Sequence, residues 1–208
     1  MTYDEMCADE LDLPVKMYAG FSRCREPVSI AIRYLTRDGN NPFRGWSPWS
    51  HMFLVFEYRS GRRVIHEALL SEGWASKDFE KLIAWRAKGG GRMADLLPLP
   101  IPAQVVSGIY RRSQSWVGQR KSYATRQIID LAKRYSMVGR YALRRFVLAP
   151  MPDTVICSEG ACQLVGEAWP PLDIRDWSGE PWDNITPQMA WERLKSRIDK
   201  QAIEKNRM

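Results

Sequence analysis

Histidine is scarce in this chain: 208 residues contain two, His51 and His66. Any chemistry that needs an imidazole near neutral pH therefore draws on a short list. Cysteine is sparse too. Cys7, Cys24, Cys157 and Cys162 are too few and too irregular for a disulfide scaffold. Their spacing fits no common zinc pattern, so neither a metal nor another cofactor is expected. No apolar run reaches membrane-spanning length, which argues against a membrane span. Internal repeats and low-complexity linkers are also missing. The stretch Met1–Asp12 lacks any base and holds Asp4, Glu5, Asp9, Glu10 and Asp12. That is the opposite of a secretory leader's cationic start, so cytoplasmic synthesis without a signal peptide is expected.

What is present suffices for one globular domain. Apolar residues make up 45% and aromatics 11%, well above the range of disordered chains. The chain divides into an acidic N-terminal segment, 1–16, and a single domain, 17–208, that includes a C-terminal helix. Net charge is +7 but uneven. From Arg111 through Arg145 there are ten Lys or Arg residues and one acid, Asp130. The plainer explanation is a solvated helical face. The functional one is attraction to an anionic polymer, a nucleic acid or a cell wall. No nucleic-acid motif accompanies the charge, which argues against nucleic acid.

Val28–Tyr34 and His51–Tyr58 are rich in Val, Ile, Phe and Tyr and are expected to be strands. Asp38–Pro48 between them is full of turn formers. Arg59-Ser60-Gly61-Arg62 reads as a hairpin turn, with Arg63–Leu69 as the returning strand. Met93–Leu99 is a plausible third partner. Helices are expected afterwards over Pro102–Val117, Tyr123–Tyr135 and Cys157–Trp169. Pro170–Ile185 reads as irregular. Thr186-Pro187 supplies an N-cap and first-turn pair for a last helix. Strands first and helices later give α+β: a small antiparallel sheet packed against helices.

Two short segments bear the chemistry. Ser50–Val55 places His51 at the mouth of an apolar strand. Val155–Glu159 places Cys157 where a strand-like run turns into a helix. A helix N-terminus has unpaired N–H groups and partial positive charge, which favour thiolate over thiol. The alternatives are a buried structural cysteine and a satisfied strand-end histidine. Cys162, five residues on, points elsewhere and reads as an inert thiol. On the returning strand, alternation sends His66 and Glu67 to opposite faces, so only one can orient His51. Glu67 is preferred because a carboxylate stabilises imidazolium more strongly; His66 is the alternative. Trp46 and Trp49, just before His51, either line a substrate groove or cap the core.

The order Ser-His on a strand, Glu-Ala on the next, then Cys-Ser-Glu opening a late helix resembles the circularly permuted branch of the NlpC-type papain-like cysteine peptidases, the YiiX-like group. Pro27–Arg33 and Thr36, then Leu97–Pro100, Gly118 and Tyr123, and finally Thr186-Pro187 resemble further segments of that family. The likeness spans Pro27 to Leu194. Gly160 departs from it, because the family has a bulky apolar residue after Cys-Ser-Glu. The resemblance implies a permuted papain-like fold with Cys157 as nucleophile, His51 as base and Glu67 as orienting group. Tyr123 joins Trp46 and Trp49 as a groove candidate. It further implies a cysteine hydrolase that cleaves amide bonds, with peptidoglycan stem peptides as substrate. Such an enzyme would be phage-encoded, virion-associated with other virion proteins, or released at lysis. A lipid acyltransferase or thioesterase on the same fold, and a structural virion component, are the alternatives.

Overall fold

The structure is a computed structural model. It describes residues 12–23, 29, 32–33, 47–69, 72–88, 92–119, 122–123, 154–155, 157–174 and 185–205. The fold is α+β. Five strands, β1 (Pro14–Arg23), β2 (His51–Tyr58), β3 (Arg63–Leu69), β4 (Gly73–Asp78) and β5 (Arg92–Pro98), form one sheet. Its order is β4-β3-β2-β1-β5, and every neighbouring pair is antiparallel. Four α-helices have both ends among the described residues: α1 (Phe79–Lys88), α2 (Ala103–Gly118), α3 (Cys157–Ala168) and α4 (Pro187–Lys205). A short 3-10 turn, Pro170–Leu172, follows α3. Two two-residue strands, β6 (Ser122–Tyr123) and β7 (Thr154–Val155), pair in parallel just before α3.

The β2–β3 hairpin forms where local chemistry dictates. Gly61 adopts φ +83° in its turn, a conformation that costs glycine little. The Gly61 N–H bonds the Tyr58 carbonyl, and the Tyr58 N–H bonds the Arg62 carbonyl. Both strands begin and end at the residues their composition suggests.

β2 is apolar on both faces because both are covered. Met52, Leu54 and Phe56 join Met17, Ala19 and Phe21 of β1 in the main core. That core is closed by Val106 and Ile109 of α2, Ala161, Leu164 and Val165 of α3, and Ala190 and Leu194 of α4. Phe53 and Val55 face the other way, into a smaller cluster with Ile65 and Phe79. Full burial of one such side chain contributes roughly 1.5–3 kcal/mol, so the central strand is pinned from both sides. A Cβ on Gly20, which pairs with Phe53, would lie 2.0 Å from the Phe53 ring. The ring therefore lies across β1 at a place only glycine allows.

Two helices follow from local signals. In α2 the buried positions Val106, Ile109, Ser113 and Trp116 recur at steps of three and four. For α4, the Thr186 hydroxyl accepts the Met189 N–H at 3.2 Å, and Pro187 opens the first turn.

Several expectations need correction. The strand expected over Val28–Tyr34 is contradicted at its described residues: Ser29, Ile32 and Arg33 are helical. Its Val and Ile content suggests a strand, but tertiary contacts decide. Ser29 and Arg33, one helical turn apart, both bond to the segment 47–50. The place beside β2 belongs instead to β1, which begins at Pro14, inside the segment 1–16. β5 pairs with β1 rather than with the hairpin. Tyr123 stands in β6, not at a helix start; the rest of Tyr123–Tyr135 lies outside the described residues. β4 and α1 have no counterpart in the sequence expectations.

Candidate active site

Cys157 is the first residue of α3, and His51 is the first residue of β2. Glu67 lies near the end of β3. The β2–β3 ladder runs from Glu57↔Arg63 to Leu54↔His66. β2 continues beside β1 to His51, and β3 continues beside β4 to Leu69↔Gly73. Past the Leu54↔His66 rung, the two strands are joined by side chains. His51 Nε2 and Glu67 Oε2 are 2.7 Å apart.

The third member enters from the helix layer. His51 also hydrogen-bonds the Cys157 side chain. With Nε2 engaged by Glu67, Nδ1 is the ring nitrogen left for the sulfur. The result is a chain of contact from sulfur to imidazole to carboxylate. Cys157 is 4% exposed, Glu67 is fully buried, and the His51 side chain retains 17% exposure. Two backbone N–H groups, those of Met52 and Ser158, also bond the sulfur.

The electrostatics follow from these contacts. Burial alone would push the Cys157 thiol up. The His51 charge, its hydrogen bond and the two backbone N–H groups outweigh burial and hold the thiol below its ordinary value. Burial alone would likewise lower His51. The Cys157 thiolate and the Glu67 carboxylate reverse this and raise it to about 9. The opposite shifts describe one ion pair, thiolate with imidazolium.

Phe53 stands beside this chain. Its ring stacks on His51 with centroids 6.0 Å apart. The backbone entering β2 is also fixed. The Ser50 hydroxyl donates to the Ser22 carbonyl at 3.3 Å and pairs with the Ser29 hydroxyl at 2.5 Å. The Ser47 N–H bonds the Arg33 carbonyl, and Arg33 Nε returns a bond to the Ser47 carbonyl at 2.8 Å.

His66 stands elsewhere. It is fully buried under α2, with Nδ1 2.6 Å from the Ser113 hydroxyl. Trp74 Nε1 donates to the same oxygen, and the Tyr110 ring stacks on the imidazole. Burial lowers His66 to about 4. Cys162 is buried too, and burial together with the nearby Cys157 charge pushes its thiol up. Its sulfur meets Met52 Sδ at 3.7 Å.

Of the groove candidates, Trp49 packs between Phe21 and Trp191, with centroids 6.4 and 6.2 Å away. Its Nε1 is buried. This is the core-capping placement. Trp46 and the Tyr123 side chain lie outside the described residues. Among the described residues, no cluster of three His, Cys, Asp or Glu side chains is placed to hold a metal ion.

The sequence reasoning missed the Met52 N–H, although Met52 follows His51; the Ser158 N–H is one of the helix-start groups expected to favour the thiolate. It also missed Phe53, which two-residue alternation places beside His51. Compared with protein-family models, curated proteins and solved structures, the chain matches none.

Proposed function

We propose that this protein is a cysteine hydrolase of permuted papain-like type that cleaves amide bonds in peptidoglycan stem peptides. One observation carries the reading: the hydrogen-bonded chain Cys157–His51–Glu67, with the thiol shifted down and the imidazole shifted up. A buried cysteine with only a packing role needs neither a charged base nor an orienting carboxylate.

The chemistry runs in two halves. The Cys157 thiolate attacks the carbonyl carbon, forming the S–C bond and an oxyanion. N–H groups at the start of α3, that of Cys157 among them, stabilise the oxyanion. Collapse breaks the C–N bond as His51 gives its proton to the leaving amine. The neutral His51 then takes a proton from water, and the hydroxide oxygen attacks the thioester carbon. The C–S bond breaks, the carboxylic acid leaves and the ion pair is restored. Glu67 holds the ring through Nε2 and stabilises its charged form throughout. The basic composition of the chain, net charge +7, suits an anionic wall polymer.

Incubation with purified peptidoglycan tests this. New amines are expected, and Cys157→Ala is expected to abolish their release while keeping the fold. Turnover of a thioester or phospholipid without amine release would move the assignment to acyl transfer. Activity on none of these, with an unreactive Cys157, would leave a structural role.

A further inference from the structure

Ser158 has two bonds with separate destinations. Its backbone N–H points to the Cys157 sulfur. Its side-chain hydroxyl is fully buried and donates to the Ile185 carbonyl at 2.5 Å, across 27 residues of sequence. Ile185 is itself fully buried, and the next residue, Thr186, caps α4. The α4 helix is held in turn by Ala190 and Leu194 in the main core. Arg193 Nη1 also donates to the Ile174 carbonyl, just after the 3-10 turn.

The first turn of a helix is its least constrained part, because its N–H groups lack intrahelical partners. A buried hydroxyl that leaves its own helix for a carbonyl on another element removes that freedom at one residue. Here the residue is the one next to the sulfur.

We infer that Ser158 is a positioning residue for the nucleophile: through its bond to the Ile185 carbonyl, the C-terminal helix fixes the backbone N–H that holds the Cys157 sulfur. This rests on the proposed role of Cys157, and it adds a residue and an element to that site. The hydroxyl touches no reacting atom. It acts through the geometry of its own backbone. The titratable groups facing the sulfur are His51 from β2, Glu67 behind it on β3, and Cys162 on α3 itself. Glu159 flanks the same first turn. Ser158 adds no charge to this set, so its effect on the sulfur is one of placement.

The test is the pH dependence of Cys157 alkylation by iodoacetamide, read by mass spectrometry on the full chain. Ser158→Ala is expected to raise the apparent thiol pKa by about one unit, the size expected for a weakened hydrogen bond to a charged group. The labelling rate then falls by up to about tenfold on the acid side of the wild-type thiol pKa, and the inflection of the profile moves to higher pH. Ser158→Thr keeps the hydroxyl and is expected to retain the wild-type profile. If the alanine variant does not fold, the threonine variant decides: a wild-type profile supports the inference and a raised one overturns it. A folded Ser158→Ala with an unchanged profile overturns it as well. An unreactive Cys157 in the wild-type chain would instead overturn the nucleophile assignment, and the two failures are told apart in one experiment.

Discussion

At the residue scale, the account turns on Glu67. A carboxylate 2.7 Å from His51 Nε2 does more than orient the ring. It is one of the groups that raise the imidazole to about 9. The imidazolium needed to protonate a leaving amine therefore persists up to that pH. A bell-shaped rate profile is expected, with its alkaline limb near 9. The sign follows directly. Removing the negative charge removes a cause of the raised value, so Glu67→Gln moves the alkaline limb to lower pH. A shift of about one unit is expected, because the thiolate contribution remains. Amine release measured from pH 5 to 10 checks this, and a limb left near 9 would remove Glu67 from its orienting role. His66, its neighbour in sequence, is expected to leave the limb in place when replaced, because it faces Ser113 and Tyr110 instead.

At the element scale, the sheet separates two chemistries. β3 presents Glu67 to the site and His66 to α2, one residue apart. The buried His66 has a folded value of about 4 against an ordinary value of 6.5. A depressed histidine binds fewer protons folded than unfolded. Its contribution is thus fully present above pH 6.5 and is lost as pH falls toward 4. The loss at pH 4.5 is expected to be about 2–3 kcal/mol. Urea unfolding of wild type and His66→Gln at pH 7 and 4.5 checks it. The glutamine variant should lose less stability on acidification. Equal losses in both would show that His66 does not titrate in this way.

The sequence disclosed these elements unevenly, for physical reasons. β2 and β3 were legible because a hairpin is local: aromatic and β-branched runs flank a glycine turn. β1 was not. Its partners are Ser22↔His51 to Pro14↔Tyr58, and the fit of Gly20 depends on a Phe53 ring from a distant strand. Val28–Tyr34 misled because β-branched residues suit a strand, whereas Ser29 and Arg33 bond to the segment 47–50 at helical spacing. Cys157, His51 and Glu67 stood out because each sits near the end of an element. The choice between Glu67 and His66 did not, since alternation separates them without saying which face meets His51. That is decided by which helices cover which face.

At the scale of the whole molecule, the site is a joint between layers. The sulfur belongs to the helix layer, and the imidazole and carboxylate belong to the sheet. They meet where the β2–β3 ladder has ended, so one molecule must hold two layers in register to about a hydrogen-bond length. The Ser158–Ile185 bond on one side and the Ser50–Ser22 bond on the other serve that register. Among the described residues, no helix is long and apolar enough to cross a membrane.

The central claim is that Cys157 and His51 form a thiolate–imidazolium pair, and site-resolved labelling with limiting iodoacetamide at pH 6 tests it most directly. The account predicts that Cys157 takes nearly all of the label. Cys162, whose thiol burial pushes up, should remain unmodified in the folded chain. His51→Ala should abolish the preference for Cys157. Equal labelling of the four cysteines in the folded protein, or a Cys157 no faster at pH 6 than Cys162, would contradict it.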